Sequence, residues 1–241
     1  MRCLFFSVSF ISAFIFFGKI AMGQTNVSPT PSAYQAVETY FQNEIGANSH
    51  LYTGEAYPAY APGIKGDPFF MITQMKAGDI FYDGVLYKNI PMLYDITADK
   101  VIINRYNGNE TMQLLNEKIK YFTFEGHRFE NLATVEEKQD VSKKLFNVLT
   151  NGKATLLAQR IKHIKHGLKA EDPYSFVEED AFWIRNGNNL FVVTNRNDAL
   201  QALADKKTQV KIFIRKNRLK FKKKIEKDLI ELVNYYESLT K

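Results

Sequence analysis

Tyr82-Asp83-Gly84-Val85-Leu86-Tyr87-Lys88-Asn89-Ile90 returns 42 residues later as Phe124-Glu125-Gly126-His127-Arg128-Phe129-Glu130-Asn131-Leu132. Both copies read aromatic, any, Gly, any, any, aromatic, any, Asn, Ile or Leu. Each has an acid-Gly pair that breaks an apolar run. Asp-Gly suits the two-residue turn of a β-hairpin, because both central residues can take positive φ cheaply. Each copy is therefore read as a tight turn feeding a strand, with Gly84 and Gly126 as turn glycines and Asn89 and Asn131 tying strand to turn through their amides.

Working outward, the same grammar continues. Asn107-Gly108 and Asn186-Gly187 break apolar runs in the same way, which makes Gly108 and Gly187 turn glycines too. Ile90, Met92, Tyr94 and Ile96 alternate with Pro91, Leu93 and Asp95, a period of two that turns one face inward. Pro91 cannot donate to a ladder, so an edge or bulge is expected there. Segments 101–103, 119–124, 182–184 and 190–194 read as further strands. Strands thus follow strands rather than alternating with helices, which argues against a Rossmann-like sheet. The stretch 153–166 fits two patterns. Asn151-Gly152 before it favours a hairpin strand, while Leu156, Leu157, Arg160, Ile161 and Ile164 also fall at helical spacing.

The ends differ from the middle. Residues 4–17 are uncharged and contain six Phe, preceded by Arg2 and followed by Ala21-Met22-Gly23. This is the form of a secretory signal peptide cut before Gln24, and its apolar run is shorter than the ~20 residues that span a bilayer. Cleavage would remove Cys3, the only cysteine, so no disulfide framework is available. It would also remove Arg2 and Lys19, taking the net charge from +6 to +4. Residues 24–32 form a polar linker with two prolines, and Ser32 is placed to cap a helix over 33–45. Beyond residue 197 the period turns helical. Asn197 would cap a short helix to Asp205, a second would end near Asn217, and a third would carry Ile225, Leu229, Leu232, Val233, Tyr236 and Leu239. The expected fold is α+β: one curved antiparallel meander with an N-terminal helix and C-terminal helices.

Two groups of residues are candidates for binding. Tyr52, Tyr57 and Tyr60 lie in an irregular Gly- and Pro-rich stretch, 48–67. They read either as an exposed platform for a sugar or peptide, or as rings laid over a sheet edge with hydroxyls in water, the commoner arrangement. From Lys206 to Lys227 there are eleven Lys or Arg and one acid, Glu226. Lys216, Arg218, Lys220, Lys222, Lys223 and Lys224 are its densest part. The run is read as a surface for anionic envelope lipid, a glycan or another envelope protein, or as a solvated helix face. Export lowers the case for nucleic acid.

Catalytic signals are sparse. There is no Gly-x-Ser-x-Gly, phosphate loop or Gly-x-Gly-x-x-Gly, and no cofactor is expected. His163 and His166 share a side only on a helix, and no third ligand is evident, so no metal site is assigned. Asp95, Asp99, Glu178, Glu179 and Asp180 lie near strand ends and would serve a glycan hydrolase only if two converged.

Gly78-Asp-Ile-Phe-Tyr-Asp-Gly84, Tyr94-Asp95, Ile119-Lys-Tyr-Phe122, Val210-Lys-Ile-Phe-Ile-Arg-Lys-Asn217 and Tyr235-Tyr236 resemble an uncharacterised family of exported β-rich proteins of Bacteroidota. The resemblance implies a periplasmic or outer-membrane-associated protein and carries no activity or site residue. The reading is a non-enzymatic binding module of the envelope. A carrier of a lipid or other hydrophobic ligand, or a glycan hydrolase, is the alternative.

Overall fold

A computed structural model describes residues 49–106, 108, 110–132, 144–167, 169, 173–222 and 224–240. The segments expected as signal peptide, linker and helix over 33–45 lie outside them, as do Asn107 and Lys223. Eleven strands form one antiparallel sheet in the order β1-β5-β4-β3-β2-β6-β7-β8-β9-β12-β13. They are β1 (Glu55–Ala56), β2 (Lys76–Tyr82), β3 (Val85–Asp95), β4 (Lys100–Asn104), β5 (Thr111–Gln113), β6 (Ile119–Phe124), β7 (His127–Asn131), β8 (Leu145–Val148), β9 (Ala154–Gln159), β12 (Ala181–Asn186) and β13 (Asn189–Val192). A separate hairpin pairs β10 (Lys162–Lys165) with β11 (Ser175–Glu178), and α1 (Arg196–Ala202), α2 (Lys207–Lys216) and α3 (Ile225–Ser238) close the chain.

The repeated motif folds as a repeated hairpin. Asp83 and Gly84 have φ of 49° and 84°, and Glu125 and Gly126 have 48° and 77°. Positive φ at both central residues is the I′ pattern, whose twist matches that of the flanking strands. The motif's asparagines are used in two different ways. Asn131 donates its amide to the Asn116 carbonyl at 2.7 Å, tying strand to turn. Asn89 instead sits at φ 55° in a bulge, where its backbone N–H reaches the Asp79 carboxylate at 3.0 Å. Asn tolerates that left-handed conformation better than most residues. Pro91 follows the bulge, one residue beyond the end of the β3–β4 ladder, so its missing N–H breaks no bond there.

Two turns differ from expectation. The β4–β5 connection is not a two-residue turn, because β4 ends at Asn104 and β5 begins at Thr111. Arg105 N–H to the Glu110 carbonyl closes a longer loop, and Gly108 (φ 72°) turns within it. At the last hairpin Asn186 pairs with Asn189, which makes Gly187-Asn188 the loop. Gly187 alone takes positive φ there, at 60°, so glycine is the first central residue rather than the second. Residues 154–159 form a strand paired with β8 and β12, and this settles the two readings of that stretch.

One face of the sheet carries two apolar cores divided by a polar seam. Phe122, Phe129, Asn147, Ala158 and Phe182 are laterally paired across β6, β7, β8, β9 and β12. On one side of Asn147 are the stacked rings of Phe122 and Phe129, 4.7 Å apart, with Tyr94, Phe70, Ile80 and Met92. On the other, Leu156, Ala158, Phe182 and Ile184 pack against the helices through Val210, Ile214, Leu229, Leu232, Val233 and Tyr236. The buried seam residue Asn147 accepts two hydrogen bonds from Arg160, at 3.2 and 2.9 Å.

The opposite face is concave. Arg185 of β12 lines the same cleft as Phe81 of β2, five strand steps away. A flat sheet would separate those strands by about 24 Å, so the sheet must coil. Leu132, Phe146, Leu157, Trp183 and Leu190 fill much of that concavity against one another.

Candidate functional site

The C-terminal helices present a basic surface. The cap of α1 is Asn195 rather than Asn197. Its side chain accepts from the Asn197 and Asp198 N–H groups while Asp198 reaches back to the Asn195 N–H, a reciprocal capping box. In α2, Val210 and Ile214 are buried, and Phe213 stacks on Tyr235 of α3 with ring centroids 4.0 Å apart. Helix α3 is pinned at its far end. Glu237 accepts from the Ala154 and Lys153 N–H groups at 2.7 and 3.1 Å, and fills the place a side chain at Gly152 would need.

This docking leaves Lys207, Lys211 and Arg215, spaced four apart, on the solvent side of α2. With Arg196 and Thr208 they line a groove of 340 Å³ around Ile212, which is 52% exposed. None of these four cations is in an ion pair among the described residues. Lys216 ends α2, and Asn217 caps it. Arg218 then takes φ 55°, while Leu219 N–H bonds back to the Ile214 carbonyl and Arg218 N–H to that of Arg215. That is a Schellman motif with arginine at the position glycine favours. Lys220 and Phe221 donate their N–H groups to Asp228 at 2.9 Å each, and Phe221 is buried as an anchor. Lys220, Lys222 and Lys224 remain exposed.

The one acid of the run points elsewhere. Glu226 accepts from Arg160 at 2.7 and 3.1 Å, and Asp180 accepts from the same guanidinium at 2.6 Å. Burial works against charge on Arg160, but the two carboxylates outweigh it and hold its pKa above the usual value. Glu226 still shares a groove with Lys224 and Lys227, whereas the groove on α2 has no carboxylate among its lining residues.

The three tyrosines do not form an open platform. Tyr57 and Tyr60 both donate to one oxygen of Asp95 at 2.8 Å, and burial followed by that bond pushes both phenols well up. Asp95 is fully buried and also accepts from the Thr97 and Ala98 N–H groups. Tyr52 packs edge-on to Tyr106 at 5.6 Å. The rings cover the sheet, but the Tyr57 and Tyr60 hydroxyls turn inward rather than to water.

The remaining candidates each hold a separate partner. His163 lies on β10 and His166 just beyond it, where His163 sits 3.8 Å from Glu179 and His166 packs on Tyr174. Glu179 also pairs with Lys165, Asp99 accepts from the Tyr94 hydroxyl at 2.6 Å, and Glu178 lies 3.9 Å from Lys162. No two of these carboxylates share a hydrogen-bond partner.

No protein-family model matches the chain, and no curated protein or solved structure is significantly similar to it. Among the described residues no helix is long and apolar enough to cross a membrane. A second group, not singled out in the sequence, lines the concave cleft and includes Phe81, Lys120, Tyr121, Arg128 and Arg185. Alternation alone places Tyr121 opposite Phe122. The bulge beside it, which brings Lys120 against Phe81, has no sequence signal.

Proposed function

We propose that this protein is an exported, non-enzymatic binding module whose basic helical face holds an anionic membrane surface of the bacterial envelope. The observation that carries this reading is the groove of Arg196, Lys207, Lys211 and Arg215 around an exposed isoleucine, without a carboxylate among its lining residues. Each Lys or Arg near such a surface contributes about 1 kcal/mol, so four to six cations reach a useful affinity together. Ile212 adds an apolar contact at the centre of the charged ring. Arginine held at a left-handed helix end, where glycine would be easier, is consistent with a charge retained for use. The signal-like N-terminus is what supports putting that surface in the envelope.

The test is sedimentation of the full mature chain with vesicles. Wild type should pellet with phosphatidylglycerol vesicles and remain soluble with phosphatidylcholine. Reversing Lys207, Lys211, Lys216 and Lys220 to Glu should abolish pelleting without changing the circular dichroism spectrum. Equal pelleting by the reversed variant, or no pelleting by wild type, overturns the proposal.

A further inference from the structure

The concave face of the sheet holds a cleft of 480 Å³ that the basic helical face does not account for. Four cations line it, Lys118, Lys120, Arg128 and Arg185, against Glu117 and Glu130. Phe81 and Tyr121 lie side by side in one wall, centroids 5.6 Å apart and planes 26° apart. Lys120 sits 5.3 Å from the Phe81 ring, and the Arg128 guanidinium 3.9 Å from that of Tyr121. The ring faces are thus taken up by cations, so the wall offers charge rather than a bare stacking surface.

A donor inventory of the cleft comes out uneven. Arg128 gives its Nε–H to Glu130 at 2.7 Å, and no bond among the described residues uses its terminal N–H groups. Stacking on Tyr121 fixes the plane of that guanidinium, so its fork is held ready for a second acid group. Lys118 is committed to Asp83 at 3.2 Å. Arg185 is half-buried, and its guanidinium makes no hydrogen bond or ion pair with any described residue. Two positions earlier on the same strand and face, Trp183 is 9% exposed and its buried indole N–H has no acceptor among the described residues. A half-buried guanidinium without a partner costs free energy that an anion would return.

We infer that this cleft is a binding site for an organic anion of monosaccharide size, with its carboxylate or phosphate held between Arg128 and Arg185. Its volume falls in the range of small-molecule sites and exceeds the need of an inorganic ion. The site lies on the sheet, apart from the helices assigned to the membrane, and is testable without it.

The experiment is a titration of the full mature chain followed through the arginine Nε–H resonances. The probes are galacturonate, glucose 6-phosphate and, as the neutral control, methyl glucoside. Either acid should perturb Arg128 and Arg185 saturably, with a Kd below about 10 mM. Saturation by galacturonate alone assigns a carboxylate ligand, and by glucose 6-phosphate alone a phosphate. R128Q and R185Q should each weaken binding at least about tenfold while the remaining resonances stay dispersed. The four-lysine reversal on the helices should leave the titration unchanged, which separates this site from the membrane face. No perturbation by either acid, equal binding of methyl glucoside, or full affinity in R185Q overturns the inference.

Discussion

Replacing Arg160 with methionine is expected to cost about 3–5 kcal/mol of stability, the range for breaking a buried ion pair on one side. The guanidinium is 9% exposed and joins four parts of the molecule. It bonds Asn147 on β8, Asp180 just before β12, and Glu226 at the start of α3, and lies 5.8 Å from the Phe70 ring. Removal strands the Asn147 oxygen, which is fully buried and loses both its donors, for about 1–3 kcal/mol. Asp180 and Glu226 are 22% and 36% exposed, so water softens their loss to roughly 1 kcal/mol each, and the terms do not simply add. In a domain of this size the sum lowers Tm by roughly 10 °C. Urea unfolding followed by the fluorescence of Trp183, the single tryptophan, measures it directly. The triple variant R160M/D180L/E226L should regain part of the loss, because it leaves no carboxylate without its partner. An R160M midpoint equal to wild type at unchanged slope would refute the view that this arginine fastens the helices to the sheet.

Two further perturbations test other parts of the fold. Burial raises the Asp99 carboxyl to about 6, outweighing the bonds from the Tyr94 hydroxyl and the Leu145 N–H that favour its charged form. Its folded pKa exceeds its unfolded one, so its contribution is full below about pH 4 and is lost as pH rises through about 6. The stability of D99N relative to wild type should therefore climb by up to about 3 kcal/mol between pH 4 and pH 7, and parallel pH profiles would contradict this. R218G should stabilise by about 1 kcal/mol, since glycine takes the left-handed position without a Cβ penalty. It should also weaken vesicle binding, whereas R218K should do neither, and a destabilised R218G would show that the position is not strained.

What could be read in the sequence was what is local. The two acid-Gly turns of the repeat are set by neighbouring residues, and both appear with the expected signs of φ. Asn107-Gly108 carries the same signal and fails, because loop length is decided by where Arg105 meets Glu110 and not by the dipeptide. Asn195 and Asp198 spell a capping box that is visible in the sequence, yet Asn197 beside them competes for the same role. The seam and the cleft were not legible. Arg160 and Glu226 are 66 residues apart, and nothing near either one names the other. The cleft depends on the β2–β6 bulge and on the coil of the sheet, which brings β12 toward β2.

Glu226 links the seam to the basic face. As the only acid between Lys206 and Lys227, it shares a groove with Lys224 and Lys227 and offsets part of the charge there, at the start of α3 and away from α2. Arg160 draws its carboxylate toward the sheet, so one ion pair docks α3, while the cations of α2 itself have no ion-pair partner among the described residues. A surface whose role were only solubility would gain nothing from this separation, since mixed charges serve that purpose as well. The arrangement instead keeps the two signs apart, with the negative charge spent where it holds the helices and the positive charge left where an anionic surface can meet it.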